Sequence, residues 1–327
     1  MKTNQLITKI TDKILAGGQI TYEEALKLIN IDKESQENLE LLFKGANQIR
    51  EKFAGKKVNL CTIINAKSGS CSEDCKFCAQ SAHYQTDVEQ YQLLDYETIL
   101  KRARENEKAG AHRFSLVTSG KALSDEEFED LVEIYQRLAR ETDLELCASH
   151  GAITYQQALQ LKEAGVTMYH HNLETSSDYY HQICSTHTFE ERVETIKNIL
   201  KAELDICCGG IIGLGESRQD RIKMAFEIKD LGIKSIPINV LSPIPGTPLE
   251  NSQGLSPFEI LKTMAIYRYI LPTGSIRYAG GRNALKDKQA LGFQAGVNAA
   301  LVGNYLTTVG SNIEEDKDMI LKQGLEI

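Results

Sequence analysis

The sequence predicts a (β/α)8 barrel of the TIM type, preceded by a helical extension. Three observations carry that reading. From Val58 onward, short runs rich in β-formers alternate with charged amphipathic stretches, the rhythm of parallel βα units. Eight such runs can be counted. The first is not followed by the G-x-G-x-x-G turn that an open, doubly wound sheet would place there. A chain of 327 residues has room for two domains, but α/β barrels of this length are commonly one.

Residues 1–54 read as helices. Thr21-Tyr22-Glu23-Glu24 is a capping-box pattern and opens a helix running to about Ile29. From Gln36 to Phe53, Leu39, Leu42, Phe43, Ala46, Ile49 and Phe53 recur at helical spacing. This extension is expected to pack on the outside of the barrel. The predicted strands are 58–64, 112–117, 144–148, 167–172, 205–212, 235–240, 275–279 and 299–302. The helices between them are 96–109, 124–140, 154–164, 189–203, 217–231, 256–270 and 285–295. The barrel then spans residues 55–305, and 306–327 form a C-terminal extension. Catalytic groups of such a barrel sit at the C-terminal ends of its strands and on the βα loops.

Side chains alternate faces along a strand, so parity says what points inward. Val58, Leu60 and Thr62 oppose Asn59, Cys61 and Ile63. Phe114 and Leu116 oppose Arg113 and Ser115, and Leu144 and Leu146 oppose Glu145 and Cys147. Ile206 and Cys208 oppose Asp205 and Cys207. Ile236, Ile238 and Val240 oppose Asn239, and Ile276 and Tyr278 oppose Arg277. The predicted interior is thus polar and holds the thiols of Cys61, Cys147 and Cys207, whereas barrel interiors are usually packed with branched aliphatics. It reads as hollowed out for cofactors and a polar substrate. Cys208 faces outward and reads as a core thiol.

Composition narrows the class of protein. Apolar residues make up 42% and charged residues 25%, as in an ordinary globular protein. Net charge is −8, from 37 basic and 45 acidic residues, and no basic stripe interleaves with aromatics, which argues against nucleic acid as a partner. No apolar run reaches membrane-spanning length, and the N-terminus lacks a signal-peptide core, so a cytoplasmic location is expected. Eight cysteines in a reducing compartment are metal ligands or core thiols before they are disulfides.

The chemistry concentrates in Ser70-Cys71-Ser72-Glu73-Asp74-Cys75-Lys76-Phe77-Cys78, a C-x3-C-x2-C loop after the first predicted strand. Clustered thiolates select zinc, Cu(I) or iron–sulfur. Structural zinc sites want a second ligand pair, and none follows. Three thiolates suit a [4Fe–4S] cluster, which normally takes four, and leave one iron open to another ligand. A disulfide with one spare thiol is the plain alternative.

With an aromatic before its last Cys, the loop resembles the cluster motif of the radical S-adenosylmethionine (SAM) enzymes. The longer string CSEDCKFCAQSAHYQT is similar to that of the biotin synthases. The resemblance implies a [4Fe–4S] cluster on Cys71, Cys75 and Cys78 whose open iron chelates the methionine end of SAM, and Phe77 beside the adenine. It implies a radical SAM sulfurtransferase that inserts sulfur between two saturated carbons of dethiobiotin to give biotin. Those C–H bonds are too strong and too weakly acidic for a general base, so a cofactor must supply a radical.

Matching motifs extend over almost the whole chain. Tyr169-His170-His171-Asn172-Leu173-Glu174-Thr175-Ser176 is similar to the family's Y-N-H-N-L-D-T-S. By that resemblance Asn172 bonds the substrate's ureido ring and Glu174, where the family has Asp, accepts from the SAM ribose. His170 and His171 are given no role. Gly209-Gly210-Ile211-Ile212-Gly213-Leu214-Gly215-Glu216 resembles a string lying along SAM, with Gly210 close to it and Ile211 at the adenine. Asn239 matches a substrate-binding position on strand six. Leu241–Leu249 matches a loop at the barrel mouth, and Arg277 with Ala279–Arg282 matches the strand-seven motif.

One departure stands out. The family holds a second, [2Fe–2S] cluster on three Cys and an Arg. Carried over, these are Cys147, Cys207, Arg277 and a strand-two position that is Ser115 here, and a hydroxyl is a poor iron ligand beside a thiolate. Cys61 on strand one faces the same interior where the family has Ser. We therefore expect Cys61, Cys147 and Cys207, with Arg277 nearby or on the cluster, to hold an auxiliary cluster, [2Fe–2S] or four-iron. Cys184, after strand four, is the competing third thiolate. The resemblance further implies a flavodoxin- or ferredoxin-type electron donor and a homodimer. Two other readings stay open: an iron–sulfur maturase or methylornithine-forming relative, and a non-catalytic metal-binding scaffold.

Overall fold

The computed structural model describes residues 2–32, 35–303 and 312–327. Three helices come first: α1 (Thr3–Leu15), α2 (Tyr22–Ile29) and α3 (Gln36–Ala54). Then follow β1 (Asn59–Lys67), α4 (Tyr96–Lys108), β2 (Arg113–Thr118), α5 (Asp125–Glu141), β3 (Glu145–Ser149), α6 (Tyr155–Glu163), β4 (Val166–His170) and α7 (Phe189–Lys201). The second half holds β5 (Asp205–Cys207), β6 (Gly210–Ile212), α8 (Arg218–Asp230), β7 (Ser235–Val240), α9 (Pro257–Ile270), β8 (Ser275–Tyr278), α10 (Gln289–Gln294), β9 (Ala299–Leu301) and α11 (Ile313–Lys322).

All strand pairs are parallel and run in the order β5-β4-β3-β2-β1-β9-β8-β7-β6, with β5 also pairing to β7. That last pairing closes the barrel, and β5 and β6 are two halves of one stave. The (β/α)8 fold read from the sequence is therefore present. The single strand expected over 205–212 is broken in the middle. Register gives the reason. Cys207 faces Ser235 and Gly210 faces Ile238, so the offset is the same on both sides of the break. Gly209 consequently faces Pro237, which has no N–H to give the ladder. A Cβ on Gly209 would sit 1.9 Å from the Pro237 carbonyl oxygen, so only glycine lets the two backbones meet there.

The helix expected over 285–295 is likewise two pieces, a 3-10 turn at Arg282–Lys288 and then α10. Lys286, at φ 53°, interrupts the helical path. Most other helix ends agree within two residues. Hydroxyl side chains of Thr21, Ser124, Thr154, Thr188 and Ser217 close capping boxes at α2, α5, α6, α7 and α8.

The core lies between the sheet and the helices and includes Cys208, as its parity predicts. Helix α9 explains the N-terminal extension. Residues Ile260–Ile270 are all buried, Lys262 and Arg268 included, and a helix buried on all sides needs cover beyond the barrel. Helices α2 and α3 supply it, packing on α9 while α1 packs on α3. The Tyr269 hydroxyl binds Thr11 Oγ1 at 2.8 Å, and the buried Lys262 ammonium donates to the Ile31 carbonyl at 3.1 Å. The predicted boundary between barrel and C-terminal extension, at 305/306, lies outside the described residues. Among the described residues no helix is long and apolar enough to cross a membrane.

Candidate active site

The C-terminal ends of the strands open into a cavity of about 340 Å3. Cys71, Cys75, Phe77 and Cys78 reach it from the loop after β1, Asn172 and Glu174 from the end of β4, and Asn239 from β7. Cys61, Cys207 and Arg277 line its deeper part. Ten of the predicted site residues thus line one cavity although they come from separate stretches of the chain, whereas Cys147, Gly210 and Ile211 are not among its lining residues.

The cluster loop is held by its own acidic residues. The Asp74 carboxylate accepts from Ser185 N at 2.8 Å and Thr186 N at 3.2 Å. Glu73 Oε2 accepts from Thr186 Oγ1 at 2.7 Å and pairs with His187 Nδ1 at 2.6 Å. These bonds tie loop 71–78 to the segment after β4. Within that junction the Cys184 sulfur lies 3.8 Å from Cys75 Sγ and 3.1 Å from His187 Nδ1. Cys75, Cys184 and His187 form a group whose ligand atoms are all within 4.8 Å of one another. Cys184 is therefore at the mouth and is not brought to Cys147 and Cys207. Phe77 and Ile211 flank the small apolar cluster around Cys75, Ile183 and Leu214.

Glu174 adopts φ 69°, a left-handed conformation that is costly for a non-glycine residue, on the order of 1–3 kcal/mol. The kink lets its carbonyl accept Ile211 N at 2.8 Å, so the end of β4 grips β6. Gly210 is needed at that grip, since a Cβ would meet the Glu174 carbonyl oxygen and Met224 Sδ, each at 2.5 Å. Burial raises the Glu174 carboxyl above the usual carboxylate range, partly offset by Arg192. Asn172 Oδ1 accepts from Gly209 N at 3.2 Å, and its Nδ2 donates to Glu174 Oε2 at 3.4 Å. Asn239 Oδ1 accepts from Gly280 N at 2.9 Å, and its Nδ2 donates to the Gly210 carbonyl at 3.2 Å. Both amides are thereby locked, with lone pairs or N–H groups to spare.

Arg192, on α7, had no part in the sequence reading. Its guanidinium donates to the Asn172 carbonyl at 3.0 Å and the Tyr180 hydroxyl at 2.6 Å, and stands 3.7 Å from Glu174. A sequence signal existed: a cation near a helix N-terminus opposes the helix dipole and needs a local reason. Arg282 of the strand-seven motif turns away from the cavity and pairs with Asp316 on α11.

The deeper part of the barrel gathers a second group of thiols. Cys147 and Cys207 pack with Met168 in a buried group apart from the main core. Cys61 lines the cavity beside this group, and its thiol and that of Cys147 are both buried. The neighbouring Cys147 thiol and the Arg277 guanidinium pull the Cys61 thiol below its ordinary value against the effect of burial, while Cys61 and burial drive Cys147 up. Arg277 is fixed by Asn59, Nη2 to Oδ1 at 3.0 Å. Cys61, Cys147, Cys207 and Arg277 stand on staves one, three, five and seven, and alternate staves share a layer of a barrel interior. Around this layer, Ser115 Oγ, His170 Nε2, Arg113 Nε and Arg277 Nε are buried without a partner among the described residues.

The comparisons with known proteins agree. A family model described as the Radical SAM superfamily matches residues 67–228, and one described as the Biotin and Thiamin Synthesis associated domain matches 237–326. A protein of Clostridioides difficile (strain 630) named biotin synthase is 58% identical over 321 residues, which is 98% of this chain and 99% of that one. The chain belongs to the biotin synthase family. A second biotin synthase, from Acetivibrio thermocellus, is 59% identical with the same coverage. Family membership makes this a radical SAM enzyme of sulfur insertion, and it decides against the maturase-like and non-catalytic readings. Two solved structures share the fold. Methylornithine synthase superposes with a TM-score of 0.83 at 22% identity, covering 97% of this chain and 96% of that one. A maturase of the [FeFe]-hydrogenase gives 0.83 at 16%, covering 99% and 75%.

Proposed function

We propose that this member of the family converts dethiobiotin to biotin with two iron–sulfur clusters, a SAM-binding [4Fe–4S] cluster on Cys71, Cys75 and Cys78 and an auxiliary cluster on Cys61, Cys147 and Cys207. The observation that carries the second centre is the thiol layer on alternate staves. Three thiols, a guanidinium and unpartnered buried N–H and O–H groups fit an anionic cluster, because buried donors are otherwise almost always paired. Arg277 stands beside that cluster or on it, and both a [2Fe–2S] and a four-iron cluster suit three thiolates. When bound, the cofactors supply the adenosyl radical and the sulfur.

The chain's own residues position and shield. Asn172 and Asn239, each anchored by backbone partners, present their remaining hydrogen-bonding capacity to the ureido ring between the two thiol sets. By the family resemblance Glu174 accepts from the SAM ribose, Phe77 and Ile211 lie at its adenine, and Gly210 allows the backbone of β6 to come close to it. The junction at Glu73, Asp74 and His187 closes the loop over the cavity and keeps water from the reacting carbon. On the family resemblance we further propose a flavodoxin- or ferredoxin-type donor, a homodimer and a cytoplasmic location. The free state of all eight cysteines suits the reducing compartment that cluster ligation needs.

The test is anaerobic reconstitution with iron and sulfide, followed by reduction with SAM and dethiobiotin. Formation of 5′-deoxyadenosine together with biotin is expected. Deoxyadenosine without any biotin, at full iron loading, would refute the substrate assignment.

A further inference from the structure

We propose that Ser115 and His170 are hydrogen-bond donors to the inorganic sulfur of the auxiliary cluster, one on each side of Cys147. The proposal rests on the auxiliary site just described and gives a task to two residues otherwise without one.

Both side chains sit beside the thiols by register. Ser115 pairs with Cys147 across β2 and β3, and with Ile63 across β1 and β2. It therefore lies on the stave between those of Cys61 and Cys147. His170 pairs with Cys207 across β4 and β5 and lines the cavity. It lies on the stave between those of Cys147 and Cys207, two residues before Asn172. The two even staves thus interleave with the odd staves that carry the ligands.

Both side chains also end in an orphan. Ser115 is fully buried and its Oγ has no partner among the described residues, and His170 Nε2 is buried without one as well. A hydroxyl or imidazole N–H in that position wants an acceptor. The nearby thiols are taken by the cluster, and what the cluster offers in return is sulfide. A hydroxyl is a poor iron ligand beside thiolates, so Ser115 is fitted to touch sulfur rather than iron. Hydrogen bonds to cluster sulfur stabilise the reduced, more negative state and so raise its potential.

The experiment uses the full-length chain with Cys71, Cys75 and Cys78 each changed to Ala, so that only the auxiliary cluster is loaded. Ser115→Ala and His170→Leu are compared in that background. Each is expected to keep its full iron and sulfide and to shift the midpoint potential downward. Each should also lose part of the D2O-induced shift in the Fe–S Raman bands. Ser115→Thr and His170→Gln, which keep a donor, should restore both signals. Unchanged potential and D2O shift in Ser115→Ala and His170→Leu at full loading would overturn the proposal. Loss of iron from Ser115→Ala would also overturn it, since Ser115 would then be a ligand. A background chain that binds no iron at all would overturn the auxiliary site itself, and this proposal with it.

Discussion

The Cys184 sulfur lies 3.8 Å from that of Cys75, at the mouth of the barrel rather than among the interior thiols. Cys184→Ser should therefore keep a full auxiliary cluster. Cys61→Ser should lose it, because Cys61 is buried in the interior and lines the cavity together with Cys207 and Arg277. Iron and sulfide counts after anaerobic reconstitution distinguish the two variants, and the reverse pattern would move the third ligand to Cys184.

Cys75 is buried at the junction of the cluster loop and the segment after β4. In the proposed assignment Cys75 is one of three thiolate ligands, and without it the open iron would not be held for SAM. Cys75→Ala should abolish 5′-deoxyadenosine formation and leave the circular dichroism spectrum intact. Undiminished cleavage would show that the loop does not hold the SAM-binding cluster.

Asn239 is bonded to both Gly280 and Gly210, so its amide is fixed before substrate arrives. Removing one hydrogen-bonding group from a buried polar contact costs about 1–3 kcal/mol. Asn239→Ala should weaken dethiobiotin binding by roughly 5- to 150-fold, with both clusters retained. Equilibrium binding with labelled dethiobiotin checks this, and unchanged affinity would remove Asn239 from the substrate site.

Gly209 meets Pro237 where the fifth stave is broken, and a Cβ there would lie 1.9 Å from a backbone oxygen that has little room to yield. Gly209→Ala should destabilise the fold by about 1–3 kcal/mol, the usual range for overpacking. Urea denaturation gives the measurement. Gly232→Ala is not an equivalent control, because its φ of 72° adds backbone strain of its own.

Glu259 near the start of α9 accepts from Arg218 at 2.7 Å and from Lys262 at 3.0 Å. Burial pushes its carboxyl up, but Arg218 and Lys262 outweigh that and hold it at about 2, below its ordinary 4.5. A depressed folded value means stability that is present above pH 4.5 and lost as pH falls toward 2. Thermal midpoints of the wild type should therefore drop more steeply than those of Glu259→Gln over that window. Parallel slopes would show that the ion pairs contribute no stability.

What the sequence by itself determined was what is local. Period-two alternation placed Cys61, Cys147, Cys207 and Arg277 inside the barrel, because a strand's side chains alternate whatever it pairs with. The spacing of Cys71, Cys75 and Cys78 likewise needs only one loop. Tertiary structure decided what joins distant segments. That Cys184 belongs with Cys75, that Arg192 braces Asn172 and Glu174, and that Pro237 breaks the fifth stave opposite Gly209 all depend on contacts between elements far apart in sequence. The same holds for the orphan groups of Ser115 and His170. A lone serine or histidine carries no pattern, and only interstrand register sets them beside the thiols. Register is fixed by the packing of the whole barrel, and no single strand encodes it.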